Sequence, residues 1–282
     1  MKFSNSFQSI LVLFLFFFCV SEYTFSQSVN NDKPLKFRPV IYAGNTSMYV
    51  IYQHKVVDPV LKEEKEFKNI LMIKDSLSVF VNYGAYQLNK ATDSIGFENV
   101  DLRLYRQLTK KFGAKECCYH LLKQFNHNNL IYCNYVGMVS MKYDEPIPDM
   151  QWQRCEGMDT IAGYCCYKAT LSFRGRNWTA WYAPKLKYSD GPWKFNGLPG
   201  LILKASSEDG EQLFTACNVS FEQIPIVYHD DSMVQKTTRK KFNNHLMLHK
   251  TNANQSMAGL ISNADNTPLQ INRLFYSPEE KE

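Results

Sequence analysis

Gly191-Pro192-Trp193-Lys194-Phe195-Asn196-Gly197-Leu198-Pro199-Gly200-Leu201-Ile202-Leu203 is the stretch on which the reading of this chain turns. Trp193 and Phe195 alternate with Lys194 and Asn196, the period of a half-buried strand, and Leu201 to Leu203 is a short apolar run suited to a second strand. Between them, Pro199 presets the φ of the second position of a type II turn. Gly200 supplies the positive φ needed at the third. Leu198, preceding a proline, is pushed towards extended geometry. The pattern predicts two apolar ribbons lying antiparallel across a proline-glycine bend. The stretch holds no thiol, hydroxyl nucleophile, imidazole or paired carboxylate, so it describes a scaffold and not a reaction.

Working outward, β signals recur at Leu130–Tyr143, Gln151–Glu156, Tyr164–Phe173, Asn177–Ala183, Gly200–Ser206, Gln212–Val219 and Ile224–Tyr228, with turn residues between them. Links of hairpin length argue for an antiparallel meander, because parallel strands need crossovers of about a dozen residues or more. Upstream, Val40–Val57 reads as strand, turn and long strand. Asn69–Tyr83 reads as a hairpin in which Leu71 and Ile73 face Val79 and Val81 across a turn near Asp75-Ser76. Gly84–Asn129 changes character: Leu102, Tyr105, Leu108 and Phe112 keep helical spacing, and Tyr119, Leu121, Leu122 and Phe125 form a second cluster, giving one or two short helices. Leu246, Met247 and Leu248 add weak helical character near the end. The fold class expected is mainly β (α+β), a strongly curved antiparallel sheet or open half-barrel with one or two helices on its concave side.

The chain opens as an export signal does. Lys2 forms a small basic region, Ile10 to Val20 an apolar core, and Thr24-Phe25-Ser26 precedes Gln27, so cleavage is expected after Ser26. The apolar run is shorter than the roughly 18 residues of a membrane span. Residues 27–264 then make one β-rich domain, and 265–282, closing on Pro-Glu-Glu-Lys-Glu, a polar, solvated C-terminal tail. The net charge of +5 is mild. It lacks the clustered basic footprint of a nucleic-acid binder, a class that export also excludes.

The hexapeptide Gly197-Leu198-Pro199-Gly200-Leu201-Ile202, with Gly191-Pro192-Trp193-Lys194-Phe195 before it, resembles the signature of the GLPGLI family of exported bacterial proteins. Met150-Gln151-Trp152, Ile161-Ala162-Gly163-Tyr164 with Cys166 and Lys168-Ala169, Phe173-Arg174-Gly175-Arg176, and Thr179-Ala180-Trp181-Tyr182 with Pro184 fit the same pattern in order. The resemblance is strong over about residues 150 to 205, and Leu71–Phe80 with Asp93-Ser94 is a weaker echo. It implies export but no molecular function and no catalytic residues. One departure is Cys165 beside Cys166, where the family pattern has one cysteine.

Candidate chemistry is sparse. After signal removal, Cys117, Cys118, Cys133, Cys155, Cys165, Cys166 and Cys217 remain, an odd number in an oxidising compartment. Strand parity lets at most one of Cys165 and Cys166 share the face of Cys155, and Cys155 with Cys166 is the candidate disulfide. Cys117-Cys118 with His120, or His245 with His249, offers metal-ligand types, but no CxxC pair or HExxH motif supports them. No metal and no cofactor is therefore expected. Asp144-Glu145 and Asp190 are the acids nearest the aromatic stretches, and no nucleophile motif accompanies them. The four tryptophans, Trp152, Trp178, Trp181 and Trp193, all lie between residues 150 and 195. Trp181, Tyr182, Trp193 and Phe195 are the candidate pocket or core aromatics. These readings converge on a non-catalytic envelope protein, periplasmic, outer-membrane-associated or secreted, that binds an apolar small molecule or a partner protein. The competing readings are an envelope hydrolase with a metal or thiol site and a structural scaffold that pairs through a strand edge.

Overall fold

The computed structural model describes residues 40–114, 119–136, 139–231, 234–252 and 274–281. The expected signal segment 1–26, the expected lead-in to Pro39 and the Cys117-Cys118 pair lie outside the described residues. The chain forms β1 (Val40–Asn45), β2 (Met48–Val57), β3 (Glu64–Lys74), β4 (Leu77–Asn82), α1 (Tyr83–Ile95), α2 (Leu102–Phe112), β5 (His120–Gln124), β6 (Asn129–Val136) and β7 (Val139–Glu145). It continues with β8 (Gln153–Ile161), β9 (Tyr164–Phe173), β10 (Arg176–Ala183), β11 (Leu201–Ser207), β12 (Gln212–Ser220), β13 (Pro225–His229), β14 (Gln235–Lys236) and α3 (Arg239–Thr251).

Twelve strands make one sheet in the order β14-β7-β6-β5-β4-β3-β2-β12-β11-β10-β9-β8, antiparallel throughout except where β14 joins β7. It is two meanders, β2 to β7 and β8 to β12, joined where β2 pairs with β12. One apolar cluster draws side chains from both meanders, from Tyr143 on β7 to Leu171 on β9, so the sheet curls around it. The sheet does not close into a barrel, and this open, mostly β architecture is the one expected. The helices are placed differently. α1 covers the outer face, packing Tyr86 on Ile70, Met72, Val79 and Val81, and α2 rests on α1; of the helices among the described residues, α3 reaches the inner cluster, through Phe242. No helix among the described residues is long and apolar enough to cross a membrane, which leaves strand-based crossing untouched.

Local chemistry explains the ends. Asn82 caps α1 by accepting from Ala85 N, and Asp101 caps α2 by accepting from Leu104 N. Gly113 closes α2 in the left-handed conformation. Three local expectations are corrected. The turn at Asp75-Ser76 pairs Lys74 with Leu77, so Leu71 opposes Phe80; Leu71 and Ile73 point inward while Val79 and Val81 point outward, a slip of one residue that reverses the face. His120 to Gln124 is strand and not helix, with Phe125 opening a single 3-10 turn: Leu121 and Leu122 alternate faces on β5, which β4 and β6 hold from both sides. Leu130–Tyr143 is a hairpin, β6 with β7, and not one strand.

The largest correction falls on the opening stretch. Trp193 to Phe195 is a turn, with Trp193 at φ +50° and Phe195 N donating to Pro192 O at 3.1 Å. It belongs to a loop from Pro184 to Gly200 that leaves β10, folds into the inner face and returns as β11. Gly200 N donates to Leu198 O at 2.8 Å, a tighter bend than the type II turn expected. The glycine is still obligatory, because at φ +151° an added Cβ would stand 2.4 Å from Ala183 O. Replacing Gly200 with alanine is expected to cost at least about 2 kcal/mol in urea unfolding. The same change at Gly113, whose surroundings are open, should cost about 1 kcal/mol.

His54, buried on β2, stacks on Phe214 at 3.9 Å between ring centroids, with Nε2 2.8 Å from Gln212 Oε1. Burial lowers its imidazole from 6.5 to about 4. The folded state keeps it neutral while the unfolded chain takes up a proton below pH 6.5. Its contribution to stability should therefore fall as pH drops from about 6.5 to about 4, by roughly 3 kcal/mol, and level off below. Urea midpoints measured at stepped pH would show this, and His54→Gln should flatten that window.

Candidate functional site: the mouth of the half-barrel

The inserted loop is the inner wall of the site. Trp193 and Phe195 sit in a cluster with Trp178, Trp152 and Phe214, ring centroids 4.8 Å apart for Trp178 and Phe195 and 5.1 Å for Trp193 and Phe195. Each buries a large apolar surface there. Between them Lys194 faces the other way, and Asp190 bridges to Asn196 at the base of the loop. Trp152 Nε1 donates to Asn196 O at 2.7 Å, fixing the far side.

Lys123, on the inner face of β5, secures the loop. Its ammonium donates to the Asp190 carboxylate, to Gly191 O at 3.1 Å and to Phe195 O at 3.2 Å, with no exposed side-chain surface. Gly191 N donates to the same Asp190 oxygen at 2.8 Å. Burial lowers the Lys123 ammonium's pKa, and the Asp190 charge and hydrogen bond push back against that.

Lys194 points towards one end of the half-barrel. It donates to Glu145 Oε1 at 2.6 Å and Glu280 Oε1 at 2.5 Å, and lies 5.0 Å from the Tyr143 ring centroid. Arg174 Nη2 reaches Glu145 Oε2 at 3.0 Å, and Arg239 Nη1 and Asn243 Nδ2 reach Glu280 Oε2 at 2.8 and 2.9 Å. Burial alone would raise the Glu280 carboxyl, yet Lys194, Arg239 and Asn243 hold it below the ordinary glutamate range. Beside this first cage stands a second. Arg176 pairs with Asp209 and with Glu211 at 2.8 Å, and Lys281 Nζ lies 2.8 Å from both carboxylates. Burial opposes ionisation of Asp209, but Lys281, Ser207, the Glu211 N–H and Arg176 hold its carboxyl down at about 2. The turn between β9 and β10 aims Arg174 and Arg176: Arg174 and Gly175 both take positive φ, +53° and +74°, as a type I′ hairpin requires.

Residues 274–281 cross this mouth as a strap, where a solvated tail was expected. Tyr276 N donates to Asp58 Oδ2 at 2.8 Å, Gln212 Nε2 to Ser277 O at 2.8 Å, Arg176 Nη2 to Pro278 O at 2.6 Å, and Lys281 N to Arg174 O at 2.9 Å. Asp58, Arg174, Arg176, Glu211 and Gln212 thus hold the strap's main chain and side chains together. Glu279 is half-buried, and loss of water around it raises its carboxyl.

Tyr182, Trp193 and Phe195 are core, at most 5% exposed, and Trp181 is half-buried against the bulge at Gly157. The Cys155–Cys166 disulfide is not formed. Cys166 opposes Asp159, whereas Cys155 lies in the β8 bulge between Arg154 and Met158 with its thiol 3.6 Å from Thr170 Oγ1, about 10 Å further along the ladder. Burial raises the Cys166 thiol to about 11. Among the described residues no group of three or more His, Cys, Asp or Glu is arranged to hold a metal ion. Asp144 pairs with exposed Lys236 at 2.6 Å. Sequence reasoning did not single out Arg174, Arg176 and Lys194 as residues of this mouth. The signal available was charge inside the apolar signature, at Arg174, Arg176 and Lys194.

Residues 174–204 match the model of a family described as protein of unknown function (Porph_ging). The match spans Arg174, Arg176, Asp190, Lys194 and the Gly197–Ile202 hexapeptide. No curated protein matches the chain. Two solved structures of PNGF-II, in space groups P21 and C2, are similar at 14% identity and a TM-score of 0.46, each covering 73% of this chain. The chain spans about a third (33%) of the PNGF-II chains it matches.

Lys123→Met leaves Asp190 buried without its cation and is expected to cost about 3–5 kcal/mol in urea unfolding. Lys123→Met with Asp190→Asn should recover a large part of that loss, which a double-mutant cycle would measure.

Proposed function

We propose that this chain is a non-catalytic, exported binding protein that holds a segment of a partner protein across the mouth of its half-barrel. The observation that carries the reading is the strap. A run of eight residues, 274–281, is gripped through its main chain by Asp58, Gln212, Arg176 and Arg174 and through its side chains by two ion cages. Main-chain hydrogen bonds of this kind supply affinity for a polypeptide, and side-chain subsites supply choice. The signal-like residues 1–26 and the resemblance to GLPGLI proteins support export. Of the two ligand classes expected, the partner protein is favoured over the apolar small molecule, because Tyr182, Trp193 and Phe195 spend their surface on the core. The charged groups of the two cages are locked in ion pairs with one another, an arrangement that serves grip rather than proton transfer.

The test is binding in trans. A full-length variant with its own strap loosened by F275G, Y276G and P278G should bind a fluorescent peptide of residues 274–282 saturably. Wild type, whose strap competes at millimolar effective concentration, should need at least about tenfold more peptide. A milder pair, S277G with K281A, serves if the triple variant melts out. Absence of saturable anisotropy change with every variant would remove the reading.

A further inference from the structure

We infer that Lys123 and Asp190 form an intramolecular modification site, in which the lysine amine condenses with the aspartate carboxyl to an amide that ties β5 covalently to the inserted loop. This chemistry does not depend on what the mouth binds. The ionic contact described above is the state before condensation. Both partners are shut away from water, the Lys123 side chain with no exposed surface and that of Asp190 with 3%.

The surroundings aim the reaction. The three N–H groups of the Lys123 ammonium are committed to Asp190 Oδ1, Gly191 O and Phe195 O. Neither main-chain carbonyl can take up a proton, so the one that leaves goes to the carboxylate, and the lone pair it uncovers points at the same carboxyl group. Burial favours that transfer, because it lowers the ammonium's pKa and penalises a charge on either partner. Asp190 is held to match. Its Oδ1 accepts from Gly191 N at 2.8 Å, while Oδ2 is buried with no hydrogen-bond partner among the described residues. The Gly191 N–H therefore stabilises the charge that collects on Oδ1 as Nζ adds to Cγ. Oδ2, which nothing retains, is the oxygen lost.

The step balances without a co-reactant. The Nζ–Cγ bond forms and the Cγ–Oδ2 bond breaks; the ammonium sheds two protons, and both depart with Oδ2 as water. One N–H stays on the nitrogen and keeps a main-chain carbonyl as its acceptor. Two buried charges and an unpaired carboxylate oxygen are exchanged for one neutral amide, which removes the cost of keeping them out of water. Contact within the fold replaces a bimolecular encounter, and exclusion of bulk water slows hydrolysis of the product. The reactive pair exists only after folding, since Lys123 comes from the first meander and Asp190 from a loop of the second. The product is a brace between the two that outlasts denaturation.

The test is the mass of folded, full-length wild type, measured after denaturation and followed by tryptic mapping. The protein should be one water lighter than its uncondensed chain, trypsin should no longer cut after Lys123, and fragmentation should find a branched peptide joining Lys123 to Asp190. Lys123→Arg and Asp190→Ala should each keep the full mass. If neither variant folds, the wild-type map decides alone, since it needs no substitution. Folded wild type at full mass, with cleavage after Lys123, would overturn the cross-link. So would a water loss confined to Asp190-Gly191, which is the succinimide formed when Gly191 N attacks Cγ in place of Nζ.

Discussion

The contact of Lys123 with Asp190, Gly191 and Phe195 is the constraint on which the inner face depends. It crosses from the first meander to a loop of the second, and it buries a charge where water does not reach. An ion pair of this kind adds little net stability, since desolvation consumes most of the Coulomb gain. What it does is penalise alternatives. Any arrangement that withdraws Asp190 from Lys123 leaves an uncompensated charge inside the sheet. The loop is thereby held at one depth, with Trp193 and Phe195 in the aromatic cluster and Lys194 turned outward to the mouth.

From that placement the mouth follows. The inserted loop brings Lys194, the β9–β10 turn brings Arg174 and Arg176, the β11–β12 turn brings Asp209 and Glu211, and α3 brings Arg239 and Asn243. Elements far apart in sequence converge at one end of the curled sheet, and the C-terminal strap ties them together. The aromatic core and the ionic mouth are two faces of the same loop, apolar residues at 193 and 195 and a cation between them.

The strand content was legible because alternation and turn chemistry repeat along the chain: β9 at Tyr164–Phe173 is the span that its pattern defines, and Arg174-Gly175 is a turn in both sequence and structure. Trp193-Lys194-Phe195 misled for a physical reason. Period-2 alternation reports that neighbours point to opposite environments, and a turn with Trp193 at positive φ satisfies that as well as a strand does. The strap misled in the opposite direction, since Pro-Glu-Glu-Lys-Glu is the composition of a solvated end unless complementary charges exist elsewhere. Those charges, at positions 145, 174, 176, 194, 209, 211 and 239, are scattered along the chain and come together only in three dimensions. Register was illegible for a similar reason, as one residue at the Asp75-Ser76 turn decides which side of the sheet Val79 and Val81 occupy.

The seam between β2 and β12 has a kinetic meaning. Each meander can zip from neighbouring hairpins, whose loops are short and cheap to close. The seam pairs Val56 with Gln212 and Val50 with Val219, so more than half the chain must be made before it can form. During synthesis the first meander therefore waits with β2 as an open edge, and the hairpins that follow it supply the strand that finally covers that edge.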